Sequence, residues 1–202
     1  MSRKKYFNEA ARTWDERFYT QNLSSFLEKL VTQFGLEPGQ HILDVGTGTG
    51  VLIPYLIQAV GPYGSVTAID YSEKMIQMCK TKYLHLENVN VNLKDIEEDA
   101  FPPESFDAVI CFGVFPHLEN KEKALLNINH TLKHGGILII AHALSSEELK
   151  DHHNSASSCV VNDVLPEETE MLQLLEQTGF VGSRIKDEPR CYLCVAHKPS
   201  KP

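Results

Sequence analysis

His41-Ile42-Leu43-Asp44-Val45-Gly46-Thr47-Gly48-Thr49-Gly50, running straight into Val51-Leu52-Ile53-Pro54-Tyr55-Leu56-Ile57, is the stretch whose reading decides the fold. A short apolar run breaks into a glycine-rich turn, and a helix-like run starts behind it. That order builds a pocket of backbone N–H groups which bulkier turn residues would fill with side chains. Such a pocket takes a nucleotide-like ligand, and the glycine spacing narrows which one. A dinucleotide fingerprint has glycines at its first, third and sixth places. Counted from Gly46, the sixth place is Val51 and the third glycine falls one place early, at Gly50. The turn therefore fits a pyrophosphate poorly.

Working outward, strands and helices alternate. Ser65-Val66-Thr67-Ala68-Ile69-Asp70 is a β-branched run with an acid at its tip, where a carboxylate can accept both hydroxyls of a ribose. Ser72 caps a helix over Glu73–Tyr83 with Met75, Ile76 and Cys79 inward. Further strands are expected at Val89–Leu93, Phe106–Phe112 and 137–141, with an amphipathic helix over 121–132. Upstream, helical spacing predicts two helices, roughly 4–17 and 22–34. Downstream come a helix between Pro166 and Gly179 and two closing strands, 180–186 and 192–196. Five apolar strands alternating with helices demand a mostly parallel, doubly wound sheet.

With an acid before the first glycine, Asp44-Val45-Gly46-Thr47-Gly48-Thr49-Gly50 resembles motif I of the class I S-adenosylmethionine-dependent methyltransferases, in the UbiE-like, small-molecule group. The resemblance covers roughly residues 38–140 and implies an α/β, three-layer Rossmann-like fold with a seven-stranded mostly parallel sheet and an antiparallel strand 7. It implies S-adenosyl-L-methionine as cofactor, with S-adenosyl-L-homocysteine as product. It assigns Asp44, Gly46, Thr47, Gly48 and Gly50 to the methionine end and nearby ribose, Asp70 to the ribose hydroxyls, and Tyr71 and Met75 to the adenine or ribose. Asp95 would accept from the exocyclic amine, Ile96 would cover the ring, and the backbone carbonyl of Phe112 or Cys111 would meet the ammonium. Phe106-Asp107-Ala108-Val109 matches the family's fourth-strand opening, with Asp107 structural. Leu132-Lys133-His134-Gly135-Gly136 resembles its Leu-Lys-Pro-Gly-Gly turn, His134 replacing the proline. The Asn/Asp-Pro-Pro-aromatic motif of nucleobase-methylating relatives is missing after the fourth strand, where the chain reads Cys111-Phe112-Gly113-Val114-Phe115.

The family reading makes residues 1–202 one methyltransferase domain: an N-terminal helical lid (1–36), a cofactor-binding core (37–141), a variable substrate lid (142–165), and a terminal helix and strand pair (166–198). Tyr6, Phe7 and Trp14 are either lid aromatics or rings packed on the sheet. The 27 acids against 19 Lys and Arg, net charge -8, disfavour a nucleic-acid partner. The basic start Met1-Ser2-Arg3-Lys4-Lys5 lacks an apolar run behind it, and no stretch approaches the ~20 apolar residues of a membrane span. A cytoplasmic protein with a small-molecule substrate is expected, its oligomeric state open. Five scattered cysteines fit reduced thiols, and Cys191 and Cys194, on one strand, point to opposite faces.

After residue 141 the sequence is individual. His142 stands at the tip of strand five, and a long polar connection follows, Ser145-Ser146-Glu147-Glu148-Leu149-Lys150-Asp151-His152-His153 and on to Cys159. His142, His152 and His153 are the candidates for a base in methyl transfer, because imidazole titrates near neutral pH. With Cys159 they could instead hold a metal or a thiol or metalloid substrate, although the spacing matches no standard metal motif. Tyr192 is expected near the cleft. In-line displacement from a sulfonium to a small-molecule acceptor is the function expected. The alternatives are a non-catalytic S-adenosylmethionine- or metal-binding sensor or carrier and, against Val51, an NAD(P)-dependent oxidoreductase.

Overall fold

The computed structural model describes residues 2–18, 21–154, 160–161 and 163–201. Its strands are β1 (His41–Val45), β2 (Ser65–Asp70), β3 (Val89–Leu93), β4 (Phe106–Phe112), β5 (Leu132–His142), β6 (Val181–Glu188) and β7 (Cys191–His197), in the sheet order β3-β2-β1-β4-β5-β7-β6. The described helices are α1 (Arg3–Ala10), α2 (Trp14–Phe18), α3 (Gln21–Thr32), α4 (Ile53–Val60), α5 (Glu73–Tyr83), α6 (Lys121–Thr131), α7 (Ser146–Asn154) and α8 (Glu168–Gln177). This is the Rossmann-like α/β fold expected, with β7 the antiparallel strand. The chain divides into two compact units, Met1–Asp95 and Ile96–Pro202.

In the first unit β1, β2 and β3 run parallel, in registers that start at His41↔Ser65 and Val66↔Val89. Their carboxyl ends therefore form one edge, and Asp44, Asp70 and Asp95 lie at or just beyond it. The four last residues of β1 are all buried, as a parallel strand covered on both faces requires. Pro54 sits in the first turn of α4, where its missing N–H costs nothing. Ser72 caps α5, its Oγ accepting from the Met75 N–H at 3.3 Å. The expected helix over 4–17 is broken: the chain tightens to a 3-10 turn at Ala11–Thr13, where Thr13 Oγ1 bonds back to the Ala10 carbonyl at 3.5 Å.

In the second unit β4 and β5 are parallel, and β7 lies antiparallel to both β5 and β6. β5 is longer than expected and absorbs the Leu132–Gly136 stretch read as a turn. Phe106 pairs with Leu132 but Ala108 pairs with Ile137, so the extra residues of β5 bulge out opposite β4. Asp107 is structural there: both its oxygens take the Lys133 ammonium at 2.8 Å.

The other departure is α7, a regular helix inside the connection read as an irregular polar segment. Its start is a reciprocal capping box. The Ser145 N–H donates to Glu148 Oε2 at 2.8 Å, while the Glu148 N–H donates to Ser145 Oγ at 3.2 Å. Glu148 also takes the Arg190 N–H at 2.7 Å, which ties α7 to the β6–β7 hairpin. These backbone donors, Ser145 first, hold the Glu148 carboxyl below the usual range. Ser145→Ala is expected to cost about 1 kcal/mol, read as a lower urea midpoint with unchanged slope. An unchanged midpoint would show that α7 does not depend on this cap. Among the described residues no helix is long and apolar enough to cross a membrane.

Candidate functional site

The turn after β1 makes three left-handed steps, Gly46 (φ 66°), Gly48 (φ 57°) and Gly50 (φ 90°). It is anchored by Thr47, whose N–H donates to the Ile69 carbonyl at 2.9 Å and whose hydroxyl donates to Asp44 Oδ2 at 2.6 Å. Asp70 closes the turn from β2: its carboxylate accepts the Gly48 N–H at 3.0 Å and the Ser72 N–H at 2.8 Å. A Cβ on Gly48 would come within 4.0 Å of both Met75 Sδ and Trp14 Nε1, so these two side chains face the turn.

Asp44 and Asp70 are 2% and 8% exposed, and among the described residues neither has a cationic partner. Burial dominates their titration. It pushes Asp44 up to about 7 and Asp70 up to about 6, against the lowering effect of their hydrogen bonds. Two desolvated carboxyls beside a turn of backbone N–H groups are a site short of positive charge, and an ammonium or sulfonium supplies it. The residues present thus fit S-adenosylmethionine.

The N-terminal helices bear on this turn through residues that the sequence did not mark. Asn8 Oδ1 takes the Ser72 hydroxyl at 2.8 Å and the Lys74 N–H at 3.0 Å, clamping α1 onto the start of α5. Asp15 takes the Thr49 hydroxyl and pairs with Lys82, whose ammonium also reaches the Thr49 carbonyl at 3.2 Å. Phe7 packs edge-on against Trp14 and Tyr71, with centroids 5.9 and 6.3 Å apart. Tyr6 joins the same ring chain, 5.3 Å from Phe7. Asp95 is half-buried just past β3. Ile96 and Phe112 belong to the second unit. Ile96 is buried and its carbonyl accepts from Asn127 at 2.8 Å, while Phe112 ends β4 half-buried.

In the second unit imidazoles gather beyond β4 and β5. His142, the last residue of β5, is 4% exposed, and burial drives its conjugate acid down to about 3, with His117 and His153 near enough to oppose a proton further. That sets His142 against the base role expected of it, since a base works with a pKa near the working pH. His153 is buried and shifted down for the same first reason, while His152 is exposed. The sequence missed His117 and Asp163. His117 follows β4 in a short 3-10 turn, and its Nδ1 lies 2.8 Å from Asp163 Oδ2. The Asp163 carbonyl accepts from His153 Nδ1. Forty-six residues separate His117 from Asp163, so only a His in an apolar stretch and an acid before Pro166 were visible. Cys159 lies outside the described residues. Among the described residues no three His, Cys, Asp or Glu are grouped to hold a metal ion.

A family model described as a methyltransferase domain matches residues 36–179. The chain belongs to this methyltransferase family. A structure of an S-adenosylmethionine-dependent methyltransferase from Aquifex aeolicus superposes on the domain with a TM-score of 0.67 at 28% identity, over 85% of this chain and 89% of that one. The class I fold is shared, and S-adenosylmethionine is the cofactor of this class. A phosphoethanolamine N-methyltransferase 2 from Haemonchus contortus, solved with S-adenosyl-L-methionine, has the same fold: TM-score 0.78, 17% identity, 98% of this chain and 59% of that one. A demethylmenaquinone methyltransferase of Staphylococcus aureus (strain JH9) is 38% identical over 113 residues, 55% of this chain and 46% of the relative. The match thus spans about half the length of the curated relatives.

Proposed function

We propose that the chain transfers the methyl group of S-adenosylmethionine to a small-molecule acceptor by in-line displacement. The observation that carries this is the pair of buried carboxyls, Asp44 and Asp70, which flank the glycine turn with no cationic partner among the described residues. Bound there, the cofactor supplies an electrophilic methyl group on a cationic sulfur. Asp44 and the turn from Gly46 through Thr47 and Gly48 to Gly50 hold its methionine end, and Asp70 its ribose. Tyr71 and Met75 flank the nucleoside, and Asp95 reads the adenine amine. Ile96 and Phe112 keep the adenine and ammonium roles that the family pattern implies. Such displacement needs alignment and exclusion of water more than covalent help. The net charge of -8 and the small-molecule substrate in the name of the Staphylococcus aureus relative support the acceptor class.

Calorimetry tests the cofactor. S-adenosylmethionine and S-adenosylhomocysteine are expected to bind, and NADH to give no heat, because Val51 stands where a pyrophosphate turn has its third glycine. Binding of NADH alone would overturn the proposal. Label from methyl-labelled cofactor is expected in one compound of a small-metabolite extract. Tight binding with no label in any compound would favour a sensor or carrier instead.

A further inference from the structure

Antiparallel pairing in the second unit sets three residues in one row: His142 on β5 stands opposite Tyr192 on β7, which stands opposite Asp187 on β6. Register partners point to the same face of a sheet, and the His142 and Tyr192 rings meet edge to face at 6.2 Å. α7 is held at both ends of this row. At its start the Ser146 N–H donates to Asp187 Oδ1 at 3.0 Å and the Ser146 hydroxyl to Asp187 Oδ2, while Glu148 takes the Arg190 N–H. Near its end His153 Nδ1 donates to the Asp163 carbonyl, and the ring is close enough to His142 to oppose a proton there, after burial. From Ser146 to His153 a helix rises about 10 Å, which matches two strand spacings of about 5 Å each. α7 therefore lies across the row, from β6 to β5.

The groups beneath α7 are under strain when covered. His142 and Tyr192 are 4% and 2% exposed, yet His142 Nε2 and Tyr192 Oη have no hydrogen-bond partner among the described residues. Each unsatisfied buried atom costs about 1–3 kcal/mol, which water would relieve if the helix lifted. Imidazoles also crowd the place: the His153 ring lies 5.1 Å from His117 and 5.9 Å from His152. Burial is the first effect on the covered groups, driving His142 down to about 3, His153 down and Tyr192 up. After burial, the Asp163 carbonyl and carboxylate favour a proton on His153, and His117 and His152 oppose it. Asp187 on β6 and Glu168 on α8 face Tyr192 and keep its hydroxyl protonated.

We propose that α7 is an acid-released cover: when the helix lifts, His142 and His153 take up protons that keep it from closing again, and their return to the neutral state lets it close. Covered, His142 holds a proton only below about 3; uncovered, it titrates as an ordinary imidazole near 6.5. The closed state therefore binds fewer protons than the open one. Closure is fully favoured above pH about 6.5 and weakens as pH falls toward 3, about tenfold for each unit. Between pH 7.5 and pH 5 the ratio of open to closed should rise about 30-fold from His142 alone. His153, shifted in the same direction, adds to it. The device hides a polar pair at neutral pH and presents it in acid.

Amide hydrogen exchange of the full chain at pH 7.5 and pH 5, each corrected for the intrinsic chemical rate, reads the opening of α7. Protection across 146–153 is expected to fall about 30-fold or more in acid, while α8 in the same unit keeps its protection within about threefold. His142→Gln removes the proton and should cut the acid effect at least about tenfold. His153→Asn keeps a donor for the Asp163 carbonyl, removes the second proton and should cut the effect about twofold or more. Asp187→Ala breaks a tether without touching either imidazole, so α7 should open more at both pH values with the ratio between them unchanged. A merely structural helix would show no such separation. Equal protection of α7 at the two pH values, or an acid effect shared equally by α8, would overturn the proposal. So would an undiminished acid effect in His142→Gln or, where that variant does not fold, in His153→Asn.

Discussion

Asp44→Asn is expected to raise the stability of the cofactor-free protein at pH 8 while weakening S-adenosylmethionine binding by at least about 100-fold, close to 2.7 kcal/mol. Both effects come from one desolvated carboxyl. In the unfolded chain Asp44 ionises near 3.8, whereas burial lifts it to about 7 in the folded protein. The folded state therefore keeps a proton that the unfolded state has lost. Stability contributed by this group falls as pH climbs from about 4 to about 7 and then levels, a cost of order 4 kcal/mol at 1.36 kcal/mol per unit. Asp70, at about 6, adds a smaller cost of the same sign. An amide at position 44 escapes the charge penalty, and even an unmade N–H at about 1–3 kcal/mol leaves a net gain.

Binding runs the other way. An ammonium near Asp44 favours the ionised carboxylate, so cofactor affinity should rise between pH 6 and 8 with release of a proton, detectable by calorimetry in buffers of different ionisation enthalpy. Apoprotein melting should drop from pH 5 to pH 8 in the wild type and hold steadier in Asp44→Asn. A variant that binds S-adenosylmethionine as tightly as the wild type, or that melts lower at pH 8, would remove Asp44 from the cofactor site.

Gly50→Ala should be strongly destabilising. The residue stands at φ 90°, and a Cβ would lie 2.5 and 2.8 Å from the Tyr83 ring and 3.0 Å from Cys79 Sγ. The backbone conformation costs a side chain about 1–2 kcal/mol and the overpacking about 1–3 kcal/mol. Together these approach half of a typical folding free energy, so a drop of about 3 kcal/mol in urea unfolding is expected. Gly61→Ala separates the two costs. Gly61 has φ 67° but nothing within 4 Å of where a Cβ would stand, so only the backbone cost of about 1 kcal/mol should appear. Equal losses at the two positions would show that packing of α5 against the turn contributes nothing.

The bounds of β2, β3 and β4 were legible to the residue because each is a short apolar or alternating run closed by glycine, an acid or a turn. Locally encoded strands place their last residues without help, so Asp44 and Asp70 could be set at the strand tips from sequence alone. The glycine spacing likewise separated this turn from a dinucleotide site. α7 was written in the sequence too, as Ser145 with Glu148 three residues on, but a capping box before so polar a run carries little of the apolar periodicity that marks a helix.

What sequence order could not reveal are the meetings of distant residues. Asn8 and Asp15 became clamps only when α1 and α2 packed near α5 and the turn. His117 acquired a carboxylate only through Asp163, and Tyr192 faced His142 only through the antiparallel register of β7 on β5. The same packing buried His142, one of the three candidate bases, and drove its conjugate acid down to about 3. Residue type sets the intrinsic pKa of an imidazole. Burial and neighbouring charges, which exist only in the folded chain, decide whether it holds a proton.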